Sequence, residues 1–112
     1  MSDWEQVSLS IWEEASGERA AIALFRPTAR EAPFDQLGFE YPEDEDGIGF
    51  AVVRLASGII VSLIDDPGNP VTGTVLFRVG ETDDQSLVSN FRSEFNLDST
   101  EVKWMIGWPM KH

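Results

Sequence analysis

Ile48-Gly49-Phe50-Ala51-Val52-Val53-Arg54-Leu55-Ala56, then Ser57-Gly58, then Ile59-Ile60-Val61-Ser62-Leu63-Ile64 is the stretch that decides the fold. Two β-branched, apolar runs around a Ser-Gly pair predict a tight hairpin. Arg54 and Ser62 are the clearly polar residues inside these strands, so both faces are largely apolar and the hairpin belongs in the middle of a sheet.

Downstream, Asp65-Asp66-Pro67-Gly68-Asn69-Pro70 is a dense turn signal, because proline cannot donate to a ladder and glycine accepts positive φ. Thr74 to Val79 reads as a third strand, with Val75, Phe77 and Val79 on one face and Thr74, Leu76 and Arg78 on the other. A helix over about 83–95 follows. Thr82, Asp83 and Asp84 supply cap candidates and negative charge at its positive end. Leu87, Val88, Phe91 and Phe95 form one stripe at helical spacing, and Asn96 suits a C-terminal stop. Period-2 alternation of Val102, Trp104, Ile106 and Trp108 predicts a closing strand before Pro109.

Upstream of the hairpin, residues 4–15 support two readings. Ser2-x-x-Glu5 matches a capping box, with Trp4, Val7, Ile11, Trp12 and Ala15 along one helical face. Yet Val7, Leu9 and Ile11 alternate strictly, and Ser16-Gly17-Glu18 separates them from Ala20 to Phe25 as a hairpin turn would. The hairpin is preferred, because the helix would turn Leu9 to solvent. Between Pro27 and Asp46 the chain reads as loop, with a short helical turn near Phe34 to Leu37. Strands joined by hairpins and one late helix predict an α+β fold: a mainly antiparallel sheet of five to six strands, with the helix packed on one face. The 112 residues are expected to form one domain, and 42% hydrophobic residues with seven Phe and four Trp suffice for a core.

Charge narrows the function classes. The chain carries 20 acidic and 8 basic residues, a formal charge of −12. Residues 1–50 hold 12 acids against 3 bases, and residues 51–112 hold 8 against 5. Such a field repels phosphate backbones and anionic lipid, so neither direct nucleic-acid binding nor membrane binding is expected. It speeds encounter with a basic protein, although acidity also serves plain solubility. There is no cysteine, no basic–apolar leader at Met1, and no apolar run long enough to span a bilayer; the cytoplasm is the expected compartment.

Catalytic motifs are scarce. The one histidine is His112 at the chain end, and with no cysteine the common nucleophile–base pairs are absent. Gly47-Ile48-Gly49 starts no GxGxxG pattern, and no phosphate loop occurs. Asp65 and Asp66 are explained by turn formation, since adjacent residues on a strand end point in opposite directions. No catalytic residue, metal site or cofactor is therefore assigned.

The sharpest local feature is Glu43-Asp44-Glu45-Asp46-Gly47. Placing Gly47 at the sixth position of an EF-hand loop puts Pro42 first and Val53 twelfth, so that register fails. A solvated loop, a contact surface for a basic partner, and a looser cation site remain. The four tryptophans read mainly as core, with Trp4 or Trp108 as interface anchors if exposed. Size, acidity and the lack of catalytic residues are similar to those of small inhibitor and immunity proteins as a class. The leading expectation is a non-enzymatic module that engages a basic protein through Glu43, Asp44, Glu45 and Asp46. The alternatives are a small ligand-binding or enzymatic domain with a pocket between sheet and helix, and a self-associating subunit such as a homodimer.

Overall fold

In the computed structural model, residues 4–45, 47–65, 73–98, 100 and 102–105 are described. They form a six-stranded antiparallel sheet with one main helix against it, an α+β fold. In chain order the elements are β1 (Glu5–Val7), α1 (Leu9–Glu14), β2 (Arg19–Phe25), β3 (Gly49–Arg54), β4 (Ile60–Asp65), β5 (Thr74–Val79), α2 (Asp84–Glu94) and β6 (Val102–Met105). Two 3-10 turns, Phe34–Gln36 and Glu43–Glu45, punctuate the long connection from β2 to β3. Across the sheet the order is β1-β3-β4-β5-β2-β6.

The expected hairpin is β3–β4, in register from Gly49 opposite Asp65 to Arg54 opposite Ile60. Its connection is Ala56-Ser57-Gly58, one residue longer than a Ser-Gly turn. Leu55 N–H donates to Ile59 O at 2.9 Å, and Gly58 takes the positive φ (+93°) that three-residue hairpin loops require. Both strands lie inside the sheet, as their two apolar faces demand.

Alternation sorts the strands onto two faces. On one, Ala51, Val53, Val61, Leu63, Leu76, Ile22 and Phe25 join Leu87, Val88, Phe91 and Phe95 of the α2 stripe in the main core. Ile22 reaches it through a bulge where β2 shifts register against β5. Phe91 is fully buried, with its ring 4.4 Å from Phe95 and 5.4 Å from Phe25 between centroids. Phe34, from the first 3-10 turn, closes the cluster beneath both helix phenylalanines.

The ends of α2 follow from its sequence. Asp83 caps the start, accepting from Ser86 N–H, and Asp84 in the first turn pairs with Arg78 Nε at 2.8 Å. At the other end Asn96 adopts φ +57°, and Leu97 N–H returns to Arg92 O at 2.7 Å while Asn96 N–H returns to Ser93 O. That is the two-bond stop anticipated at Asn96. Glu94 Oε1 accepts from Ala56 N–H at 3.0 Å, tying the helix end to the hairpin tip.

The N-terminal segment departs from the preferred reading. Residues 5–7 are a strand, but they pair with β3 rather than with β2, and residues 9–14 are a helix. Ser8 is the cause: its side chain caps the helix by accepting from Ser10 N–H at 3.2 Å, which ends the alternation begun at Val7. Neither does Leu9 face solvent freely, because at the helix start it is half-buried against the sheet side. The helix is capped at Ser8 and not at Ser2: Glu5, the other half of the Ser2 capping box, is in β1, and Ser2 itself lies outside the described residues. The turn 66–70 and the alternation beyond Met105 also lie outside them. No helix among the described residues is long and apolar enough to cross a membrane.

Candidate functional site: an acidic groove beside α1

The acidic run is carried on a fixed support. Before it, Glu40 and Phe50 exchange two backbone hydrogen bonds, each 2.8 Å, so the chain leaving the long connection pairs with the start of β3. Tyr41 then lays its ring over Gly49. A Cβ on Gly49 would sit 2.6 Å from that ring, so the close approach depends on glycine there. Tyr41 donates a long hydrogen bond, 3.4 Å, to Asp65 Oδ2 at the end of β4. Pro42 follows, and Glu43–Glu45 turn as a single 3-10 coil.

Of the four predicted contact residues, Glu43 and Asp44 are exposed on that turn. Glu45 is its last residue, and Asp46 lies outside the described residues. The paired bonds at Glu40 and Phe50 mean that Glu43 and Asp44 follow within four residues of a point fixed to β3, not in the middle of a long free loop. Among the described residues, no group of three His, Asp or Glu side chains is placed to hold a metal ion.

The turn does not stand alone. Helix α1 crosses the second face of the sheet over β3 and β4, with Trp12 buried beneath it. Between helix and turn runs an open groove of about 340 Å³, lined by Leu9, Trp12, Glu13, Pro42, Asp44 and Phe50. Its floor is apolar and its two ionisable lining residues are both acidic. Glu13 and Asp44, 31 positions apart, thus border one depression.

Trp12 is held from the side of β2. Arg19 places its guanidinium 5.3 Å from the centroid of the Trp12 ring and donates to Trp12 O and to Gly17 O. On the same face, Val52, Leu24 and Ser62 are buried, whereas Phe50, Ile64, Val75, Phe77 and Val79 remain half-buried. The Ser62 hydroxyl finds no hydrogen-bond partner among the described residues.

Sequence reasoning missed Leu9, Trp12 and Glu13 as site residues. The signal that could have found them was Ser8 as a helix cap, which turns Leu9, Trp12 and Glu13 into one helical surface (i, i+3, i+4). Trp4 is no exposed anchor, since it is half-buried and stacks on Phe95 at 4.5 Å. Trp108 and His112 lie outside the described residues, as does Asp66. A second surface hollow, about 310 Å³, lies along α2 beside Gln85, Val88, Ser89, Arg92 and Asp98, and it mixes charges of both signs.

Comparison with known proteins returned no match: no family model, no curated protein and no solved structure matches this chain.

Proposed function

We propose that this chain is a small acidic, non-enzymatic protein-binding module that engages a basic protein. An inhibitor, an immunity-type antidote and a regulatory subunit all fit that description. The observation that carries the reading is the mounting of the acidic run: Glu43 and Asp44 are exposed on a turn pinned to β3 through Glu40 and Phe50. Clustered like charges repel one another in the free protein, and a cationic partner relieves that cost. A pinned turn presents them in one orientation, which a purely solubilising loop does not require. The same field disfavours nucleic acid and anionic membrane as partners.

The test is retention from native lysate, comparing the wild type with a variant carrying Glu43→Gln, Asp44→Asn, Glu45→Gln and Asp46→Asn. The wild type is expected to retain a basic protein at about 50 mM salt and to release it near 500 mM, because screening shortens the reach of surface charge. Once that protein is identified, the variant should associate with it about tenfold more slowly at low salt. Equal retention by the two proteins reduces the run to a solubility device. Unfolding of the variant points instead to a cation held by the carboxylates.

One observation favours a second reading. Val75, Phe77 and Val79 share a half-buried apolar row on the face that α1 only partly covers, which suits self-association. Concentration-dependent sedimentation, abolished by Phe77→Ser, would support it over the acidic reading.

A further inference from the structure

The groove beside α1 carries more information than its charge. Its floor of Leu9, Trp12 and Phe50 offers apolar surface, while Glu13 and Asp44 supply carboxylates, and none of its lining residues is basic. A purely cationic ligand leaves that floor in contact with water. A purely apolar one leaves both carboxylates without a counter-charge. Anions are repelled. The protein's own Arg19 shows what the neighbourhood of Trp12 accepts, since its guanidinium already lies against that ring from the β2 side.

We propose that this groove seats a segment of the partner protein in which arginines alternate with leucine-like side chains, the apolar group on Leu9 and Phe50 and the guanidinium between Glu13 and Asp44. The proposal rests on the acidic-recognition reading above and adds to it the chemistry and the seat of the ligand. Charge complementarity selects this occupant over a second copy of the chain, because a formal charge of −12 on each copy opposes bringing two such rims together.

Two short synthetic peptides test it, with equal numbers of arginines, one spaced by leucines and one by serines. Affinities are read by fluorescence anisotropy at low and high salt, and the seat by backbone amide shifts of the unmodified protein. The leucine-spaced peptide should bind about tenfold or more tightly, with the largest shifts at Leu9, Trp12 and Phe50. Leu9→Ser should remove most of that preference while leaving the serine-spaced peptide unaffected, and Glu13→Gln should weaken both. Thermal melting of each variant confirms that it folds.

Equal, salt-sensitive affinity for both peptides overturns the groove proposal while the acidic reading stands. No binding of either peptide at low salt overturns both. Shifts centred on Val75, Phe77 and Val79 in place of Leu9 and Phe50 overturn the seat. A peptide-free dimer that the leucine-spaced peptide dissociates overturns the assignment of the occupant, identifying it as a second copy.

Discussion

The two faces of the sheet are built from similar strands but finished differently. On the α2 face an eleven-residue helix brings Leu87, Val88 and Phe91, and its C-cap brings Phe95, into one core with Val53, Val61, Leu63 and Leu76, and the aromatic rings of Phe25, Phe34, Phe91 and Phe95 interlock with no solvent access beyond a few per cent. On the other face a six-residue helix covers β3 and β4 through one tryptophan, and although Val52 and Leu24 are buried, Phe50, Ile64, Val75, Phe77 and Val79 are left half-buried. A helix too short to sustain itself exists there because Ser8 caps it and Trp12 anchors it. The lesson is a division of labour: the thick face holds the fold together, and the thin face leaves apolar surface beside acid where a ligand can reach it.

The sharpest way to break that comparison is at Phe91. It touches Phe25, Phe34 and Phe95 and has no exposed surface. Phe91→Ala should cost about 3–5 kcal/mol in urea unfolding, combining lost transfer energy with a cavity that rigid neighbours cannot fill. A loss below about 1 kcal/mol would mean that α2 does not carry the core.

Trp12→Ala probes the thin face and should cost less, about 2–3 kcal/mol, because a space bordered by an open groove can admit water or partly collapse. If the loss equalled that of Phe91→Ala, the thin face would be as structural as the thick one. The division of labour would then fail.

The thick face also holds a charge. Arg78 and Asp84 have side chains only 14% and 16% exposed, their Nε and Oδ1 atoms 2.8 Å apart without the alignment of a hydrogen bond. Thr82 donates to the same carboxylate, and Arg78 Nη1 donates to Gly80 O. Asp84→Asn strands a largely buried cation and should cost about 1–3 kcal/mol, nearly independent of salt. Adding Arg78→Met should recover most of that loss. A neutral single variant would place this pair energetically at the surface.

How much of this could be read in advance depended on the range of the interactions. The β3–β4 hairpin, the α2 stripe and the Asn96 stop are written in local periodicity and turn chemistry, and they appear where that chemistry puts them. Helix α1 was legible only as the less preferred of two readings, and with the wrong start, because six residues hold less than two turns and Val7, Leu9 and Ile11 imitate a strand. Its decisive contacts, Trp12 with Arg19 and with the sheet, depend on tertiary packing. The site divided in the same way. The acid run stood out in the sequence, but Glu13 joins it only because Glu40 pairs with Phe50, and no local pattern announces that bridge.

The smallest effect concerns Tyr41, which joins the acidic turn to the sheet and is the sole tyrosine of the chain. Partial burial, then the negative charge of Asp65 and the hydrogen bond to it, raise its pKa above 10.0, with Arg30 pulling weakly the other way. A raised pKa means that the folded state holds the phenolic proton more tightly than the unfolded chain does. The resulting stabilisation is complete below the unfolded value near 10 and is lost as pH rises through the higher folded value. Ultraviolet absorbance of tyrosinate reads this group alone, so its midpoint in the native protein should lie above that of the urea-unfolded chain. Asp65→Asn should lower the native midpoint while leaving the contribution of burial. Gly49→Ala, whose new Cβ meets the ring, should swing Tyr41 outward and lower it as well, with little loss of stability because the clash is with outer side-chain atoms of a residue that is already 48% exposed. Native and unfolded midpoints that coincide would mean that Tyr41 is not seated on Gly49. The acidic turn would then lack one of the contacts that orient it towards the groove.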